Sequence, residues 1–88
     1  MEISRINRFL ELPKEINNKI PKITIIDFND VLIENYKGIL EYEEFFVKIN
    51  THLGDINING FNLELKQMTE EDIVVKGIIN SIDIERNT

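Results

Sequence analysis

The sequence contains no cysteine, no tryptophan and only one histidine, His52. Without cysteine there can be no disulfide framework and no metal or redox site built on thiolates. One histidine cannot form a multi-histidine metal site, and without cysteine it has no catalytic thiol to activate. His52 stands in the stretch Thr-His-Leu-Gly-Asp, which is typical of a loop, where a solvated imidazole is more common than a general base.

Basic residues and long apolar runs are also scarce. Ten lysines and arginines face sixteen aspartates and glutamates, which gives a net charge of −6 and a pI near 4.7. An acidic domain repels phosphate backbones, so we expect no nucleic-acid partner. No apolar run approaches the about 18 residues of a membrane span, and the N-terminus lacks the apolar core of a secretory signal. These features predict a cytoplasmic protein.

What is present predicts one small folded domain, residues 1–88, without a cofactor. A hydrophobic fraction of 42% with 30% charged residues is ordinary for a soluble globular protein. Isoleucine dominates the apolar residues and asparagine the uncharged polar ones. This bias favours strands and turns, because isoleucine is β-branched and asparagine tolerates a left-handed backbone.

The first 21 residues have the spacing of a helical arm. Ile6, Phe9 and Leu10 recur at i, i+3 and i+4, and Pro21 ends the segment. Two interpretations remain open for this apolar stripe. It packs on its own domain, which is the usual role of such a stripe and the one we favour, or it docks on a partner.

From residue 22 to residue 86 the apolar period changes to two, which predicts a β-sheet domain. Six strand-like runs follow one another without room for crossover helices, so we predict a mainly β fold, an antiparallel meander, small sandwich or roll. A weak echo between Asp-Ile-Asn-Ile-Asn-Gly and Asp-Ile-Val-Val-Lys-Gly leaves a small β-solenoid as the alternative. The six runs are residues 23–27, 31–35, 39–49, 55–58, 62–67 and 73–85.

Residues 55–60 also match the start of a calcium-binding EF-hand loop. The twelfth position of such a loop carries a bidentate glutamate, and here it is Lys66. Both flanks alternate apolar and polar residues, whereas the calcium motif has a helix on each side. The sequence therefore excludes the calcium loop.

Asn59 and Gly60 between alternating hydrophobic residues predict instead a β-hairpin with a type I′ turn. In that register Ile58 faces Phe61 on one side of the sheet. A second hairpin is predicted at residues 35–38, where Gly38 takes the left-handed position and a four-residue loop sets Ile33 opposite Leu40; a three-residue loop is the alternative. Gly77 is expected at a further turn or bulge.

No catalytic constellation can be assembled from the remaining residues. Carboxylates are plentiful, but their spacing selects no acid–base pair, and no nucleophile, base and oxyanion donor can be named together. We therefore predict that the protein is not an enzyme and holds no metal.

Aromatic side chains cluster around the third run. Tyr36, Phe45 and Phe46 are candidate partner contacts, as are Ile6 and Phe9 of the arm, together with Leu10. A regular strand points one of two adjacent phenylalanines away from the core, so either a bulge lies there or an aromatic ring is exposed. Long β-edges add a further capability, because an edge strand can pair with another chain. Strand addition or homo-oligomerisation is the expected mode of contact.

The stretch from residue 12 to residue 42 resembles the YabP/YqfC family of sporulation proteins, and is closest to its YqfC branch. The resemblance rests on Ile-Pro-Lys-Ile-Thr at residues 20–24 and on Ile-Glu-Asn-Tyr-Lys-Gly-Ile at residues 33–39. The closing strand, residues 73–85, is similar as well, so that the likeness extends from about Phe9 to Glu85. Residues 51–60 are richer in asparagine and glycine than the family pattern.

The resemblance implies a non-enzymatic protein of endospore-forming bacteria. It would be made in the mother cell, at or near the forespore membrane, as a structural or assembly factor of the coat or cortex with protein partners that include a membrane-bound sporulation protein. The alternative is a small sensory module that binds a ligand or ion through acidic loops such as residues 70–72 or Asp55.

Overall fold

The computed structural model describes residues 20–87, and this part of the chain consists of strands, turns and short connections. The arm predicted over residues 1–21 lies almost wholly outside the described residues, so Ile6, Phe9 and Leu10 have no structural account. The six strands are β1 (Lys22–Ile26), β2 (Asp30–Glu34), β3 (Tyr36–Glu43), β4 (Phe46–Thr51), β5 (Gly54–Lys66) and β6 (Asp72–Arg86).

All strands belong to one antiparallel sheet in the order β1-β2-β6-β5-β4-β3. The predicted hairpin at residues 35–38 is wrong, because β2 pairs with β1 and β6 while β3 pairs only with β4. The chain leaves β2 through Asn35, whose φ is 65°. The backbone N–H groups of Asn35 and Tyr36 both donate to the carbonyl of Glu71. These bonds direct the chain towards the far edge of the sheet, where Gly38 lies inside β3 at a bulge.

The predicted hairpin at Asn59 and Gly60 is also wrong, because β5 runs through both residues. Neither has the positive φ that a type I′ turn requires. Asn59 is paired on both sides, with Phe46 in β4 and Ser81 in β6. Glycine is needed at position 60 for another reason: a Cβ there would overlap the carbonyl oxygen of Ile78. Gly60 thus permits a close approach of two strands at a bulge.

Bulges divide the two longest strands, β5 and β6, into two parts each. Register shifts occur between Asn59 and Gly60 and between Phe61 and Glu64. Gly77 of β6, with φ 152°, lies opposite the second shift, so the turn or bulge expected there is a bulge. The sheet therefore forms two half-sheets. The first half-sheet contains β1, β2, the start of β6 and the end of β5; the second contains β3, β4, the start of β5 and the end of β6.

Buried residues of both half-sheets form one apolar core, and the single antiparallel sheet of six strands confirms the predicted mainly β fold. Each half-sheet therefore supplies one wall of the core. The antiparallel pairing of every strand leaves no solenoid rungs. The buried core residues are Val31, Ile33, Leu63, Ile73 and Val75 from the first half-sheet, and Val47, Ile49, Ile56 and Ile58 from the second.

Each half-sheet is held at the bulges by the tip of its own hairpin. In the β1–β2 tip, the carbonyls of Phe28 and Asn29 accept the N–H groups of Ile79 and Gly77 at 3.2 and 2.9 Å. In the β3–β4 tip, the carbonyls of residues 45 and 44 accept the N–H groups of residues 60 and 63 at 3.2 and 2.7 Å. The bulges therefore satisfy their backbone donors at the neighbouring tips.

Candidate interaction surfaces

Within the described residues, β1 and β3 are the outermost strands of the sheet, and they differ in regularity. All five residues of β1 pair with β2 without a register shift. Two register shifts interrupt the pairing of β3 with β4, and they leave Lys37 and Leu40 as extra residues. Bulges bend an edge and hinder the addition of another strand. The edge at β1 is therefore the more open one for strand addition.

All five side chains of β1 are exposed, and three of them are isoleucines. Ile23, Ile25 and Ile26 have exposed fractions of 37%, 49% and 54%. Ile23 lies opposite the buried Ile33, and Ile25 opposite the buried Val31. Because paired residues share a face of the sheet, Ile23 and Ile25 extend the wall of the core beyond its closed part. The edge thus presents apolar side chains that its own domain only half covers.

Both ends of β1 are fixed. The side-chain amide of Asn35 donates to the carbonyl of Ile20 at 2.8 Å, just before the strand. The backbone N–H of Asn29 donates to the carbonyl of Ile26 at 3.1 Å, just after it. A strand held at both ends loses little further freedom when another chain pairs with it, which favours binding.

A groove runs between β1 and the end of β6. Its volume is about 450 Å³, and its apolar lining includes Pro21, Ile23, Leu53, Ile56 and Ile84. The β4–β5 turn holds Leu53 there, because the hydroxyl of Thr51, itself buried, donates to the carbonyl of residue 54 at 2.6 Å. On its core side, the β1 edge therefore lies next to an apolar groove.

The edge at β3 is polar and acidic by comparison. Glu41 and Glu43 lie along it, beside the half-exposed Leu40 and Tyr42. Like charges along an edge repel a second acidic chain, and this is a common means of keeping edges apart. Charge and bulges therefore protect this side of the sheet.

The predicted aromatic contacts are divided by the structure. Tyr36 is half-buried against the core, and its hydroxyl donates to the carbonyl of Thr69 at 2.8 Å, so its observed contacts are internal. Phe45 is 59% exposed in the β3–β4 turn, whereas Phe46 is half-buried at the start of β4. The predicted single run over residues 39–49 is broken by this turn. A turn, and not a bulge within a strand, separates the two rings.

Sequence reasoning missed Ile23, Ile25 and Ile26 as surface residues. Alternation alone places Ile23 and Ile25 in the core and cannot tell an outer strand from a central one, because both alternate. One signal was available. Residues 23–26, between Lys22 and Asp27, carry no charge. Charged side chains commonly protect an edge strand against pairing with another chain, and β1 has none at these positions.

The outer face of the second half-sheet is a polar network. Lys48 forms ion pairs with Asp55 at 3.9 Å and with Glu85 at 3.3 Å. The amide of Asn57 donates to Glu85 at 3.0 Å, and the amide of Asn50 donates to Asp55 at 2.7 Å. The hydrogen bond from Asn57, followed by the hydrogen bond and charge of Lys48, holds the pKa of Glu85 below its usual value near 4.5.

In the acidic loop before β6, backbone N–H groups are hydrogen-bonded to the side chain of Thr69. The hydroxyl oxygen of Thr69 accepts the N–H groups of Glu71 and Asp72 at 3.2 and 2.9 Å. Over residues 20–87 no group of three or more histidine, aspartate or glutamate side chains is close enough to hold a metal ion. In the same part of the chain no helix has the length and apolarity to cross a membrane.

Comparison with known proteins gives two matches of wide coverage. The model of the YabP family matches residues 17–88. A Bacillus subtilis (strain 168) protein described as uncharacterized protein YqfC is 30% identical over 77 residues, which cover 88% of this chain and 83% of that protein. No solved structure matches. The chain therefore belongs to the YabP/YqfC family, and membership of that family indicates a sporulation-related protein.

Proposed function

We propose that this protein is a non-enzymatic structural or assembly factor in building the forespore envelope, its coat or cortex. It acts by protein–protein contact along a sheet edge. The observation that carries this proposal is the β1 edge, which is regular, fixed at both ends and lined by Ile23, Ile25 and Ile26. A backbone ladder offers main-chain hydrogen bonds to an incoming strand, and exposed side chains select it.

The family supports the setting of this proposal, and the physical features of the chain support the mode of contact. The acidic net charge of −6 disfavours binding to nucleic acid. The partners are other proteins, including a membrane-bound sporulation protein, and further copies of the chain. The site of action is the mother-cell cytoplasm, with peripheral association at the forespore membrane.

The first test is localisation of a fluorescent fusion through sporulation in an endospore-forming host, with the fusion as the sole copy. We expect a shell or cap at the forespore that appears only after asymmetric division. A diffuse signal that is already present in vegetative cells and never changes would contradict the proposal.

The edge itself is tested by two matched lysine variants in the same strain. Ile25→Lys puts a charge on the β1 edge, and Leu40→Lys puts the same charge on the β3 edge, at residues that are 49% and 54% exposed. Because edge lysines block strand addition, we expect Ile25→Lys to release the fusion from the forespore and to lower the yield of heat-resistant spores. Equal behaviour of both variants would contradict a specific role of β1.

A further inference from the structure

We infer that two copies of the chain pair through β1, antiparallel and about a two-fold axis that passes beside Thr24. This inference rests on the proposed function, in which β1 is the contact edge, and it names a partner and a register for that edge. The dimer would join the first half-sheets of the two copies into one continuous sheet, an isologous interface in which the same surface is used twice.

The bounds of β1 determine the register. Pro21, before the strand, has no N–H to donate, and Asp27, after it, has a φ of 54° that takes the chain out of the extended conformation. Five residues can therefore join a ladder, and only a register centred on Thr24 pairs all five of them. It sets Thr24 opposite the partner's Thr24, a pairing of β-branched residues that strands favour.

Symmetry also requires a residue at the centre. A two-fold axis perpendicular to the sheet keeps each side chain on its own face, so residues that face each other across the axis must be an even number of positions apart. With Thr24 at the centre, Ile23 faces the partner's Ile25, and both lie on the core side. These are the side chains that the single domain leaves 37% and 49% exposed.

The charges at the ends of the strand favour the antiparallel arrangement. Lys22 begins β1 and Asp27 follows it. An antiparallel pair brings the lysine end of one copy near the aspartate end of the other, twice per dimer. A parallel pair would set lysine beside lysine and aspartate beside aspartate, which is unfavourable. The apolar groove that contains Leu53 and Ile84 lies on the core side, where the partner's isoleucines extend.

The interface is small, so the association is expected to be weak. A ladder of five residues with a few isoleucines per copy buries less than the roughly 1,600 Å² of a standard stable interface. We therefore expect dissociation in the micromolar range, with monomers at low micromolar concentration and dimers at several hundred micromolar. The relevant measurements are made over that range with the full chain.

The register is tested by crosslinking, because the chain contains no cysteine of its own. In antiparallel strands, directly opposed Cα atoms lie about 4.5–5.5 Å apart, within the range of a disulfide. Thr24→Cys should therefore form a disulfide-linked dimer under mild oxidation. Ile26→Cys is the matched control: it faces the partner's Lys22, and the two engineered cysteines lie about 13 Å apart along the strand direction.

The edge is tested by sedimentation equilibrium of the wild type, Ile25→Lys and Leu40→Lys. We expect the dimer dissociation constant to rise at least tenfold in Ile25→Lys and to stay within twofold in Leu40→Lys. Circular dichroism and thermal unfolding check that both variants fold. A folded Ile25→Lys that dimerises like the wild type would overturn the inference, and so would equal crosslinking of both cysteine variants.

Another occupant of the edge gives a different result. If residues 1–19 cover β1, the wild type stays monomeric at several hundred micromolar and a chain without residues 1–19 dimerises, which overturns the inference for the full chain. The outcomes also separate this inference from the proposed function. If the fusion localises to the forespore but the wild type is monomeric, the proposed function stands and the dimer is wrong. If Thr24→Cys forms the dimer but the fluorescence is diffuse, the dimer stands and the proposed function is wrong.

Discussion

The two half-sheets share one plan and differ at their rims. Each has a hairpin, β1–β2 or β3–β4, whose second strand pairs with one long strand, β6 or β5, and whose tip bonds to a bulge. The rim of the first is regular and apolar at β1, whereas the rim of the second is bulged and acidic at β3. Both half-sheets need this arrangement of strands, because each contributes buried side chains to the shared core. The difference at the rim gives the molecule one side suited to assembly and one protected against it.

The outer faces of the two half-sheets also differ, since the first is the more apolar and the second the more polar. The second half-sheet carries the network of Lys48, Asp55, Asn57 and Glu85. The first has Ile26, Leu32 and Val74 on its outer face, near Lys66 and Lys76. Two surfaces of unlike chemistry thus enclose one core. We expect substitutions in the core to change stability most, substitutions at the bulges less, and substitutions in the network least.

Removing core volume should affect both half-sheets alike. Ile33→Ala in the first and Ile58→Ala in the second should each lower the free energy of unfolding by about 3–4 kcal/mol, because both side chains are fully buried. Denaturant unfolding measures the loss, and amide hydrogen exchange locates it. Since the core is shared, amides in β2 and β4 should lose protection together in either variant.

The control for the core variants is Ile26→Ala, where the side chain is more than half exposed. It should change the free energy of unfolding by less than about 1 kcal/mol. If exchange rises only in the half-sheet that carries the substitution, the two half-sheets are separate folding units and the shared core does not couple them.

The bulge glycines should rank second. A Cβ at Gly60 would overlap the carbonyl of Ile78, and one at Gly77 would lie 2.7 Å from the carbonyl oxygen of Asn62, with φ at 152°. We expect Gly60→Ala and Gly77→Ala each to cost about 2–3 kcal/mol in thermal or denaturant unfolding, because main-chain atoms must move.

A third glycine serves as the control for the bulge variants. Gly38 in β3 has no atom within 4 Å of the position its Cβ would take. Gly38→Ala should therefore stay within about 0.5 kcal/mol of the wild type. If Gly38→Ala lowered the free energy of unfolding as much as Gly60→Ala does, the β3 edge would be packed as tightly as the bulges. That result would contradict the proposed difference between the β1 and β3 edges.

The polar network should give the smallest effect, visible as a pH dependence. The pKa of Glu85 is lowered by Asn57 and Lys48, so its contribution to stability is present above the usual glutamate value near 4.5 and is lost as the pH falls through the lowered value. Glu85→Gln should flatten the acid limb of the stability curve slightly. A carboxyl titration followed by NMR should give a pKa below 4.5, which Asn57→Ala moves upward. A titration at or above 4.5 in the wild type would contradict this reading of the network.

Much of the fold could be predicted from the alternation of the sequence. The mainly β class and the start of β6 near Asp72 follow from runs with a period of two. The total of six strands agrees only because two errors cancel: the run predicted over residues 39–49 is two strands, and the runs predicted over residues 55–58 and 62–67 are one. The pairing of strands could not be predicted in this way. A local rule interprets Asn59 and Gly60 as a turn, whereas the long pairing of β5 with both β4 and β6 overrides that preference.

The interaction surface was partly predictable. That edges matter follows from any small antiparallel sheet. Which edge is open depends on the order of strands, and the order depends on contacts such as those of Glu71 with Asn35 and Tyr36. Such contacts link residues that are far apart in sequence, and a single sequence has no local pattern that marks them. Phe45 illustrates the same limit, because its exposure follows from the placement of a turn.

The pairing of β2 with β6 has a consequence for how the protein is made. Asp30 pairs with Lys76, so the inner side of β2 acquires its neighbour only after β3, β4, β5 and the start of β6 have been synthesised. Distant pairings of this kind form slowly, and until then Val31 and Ile33 lack their cover. The sixth strand thus completes the part of the sheet that begins with the first two strands. A nascent or truncated chain that ends before β6 cannot close the core, and it exposes two edges of the β1–β2 hairpin where the finished protein exposes one.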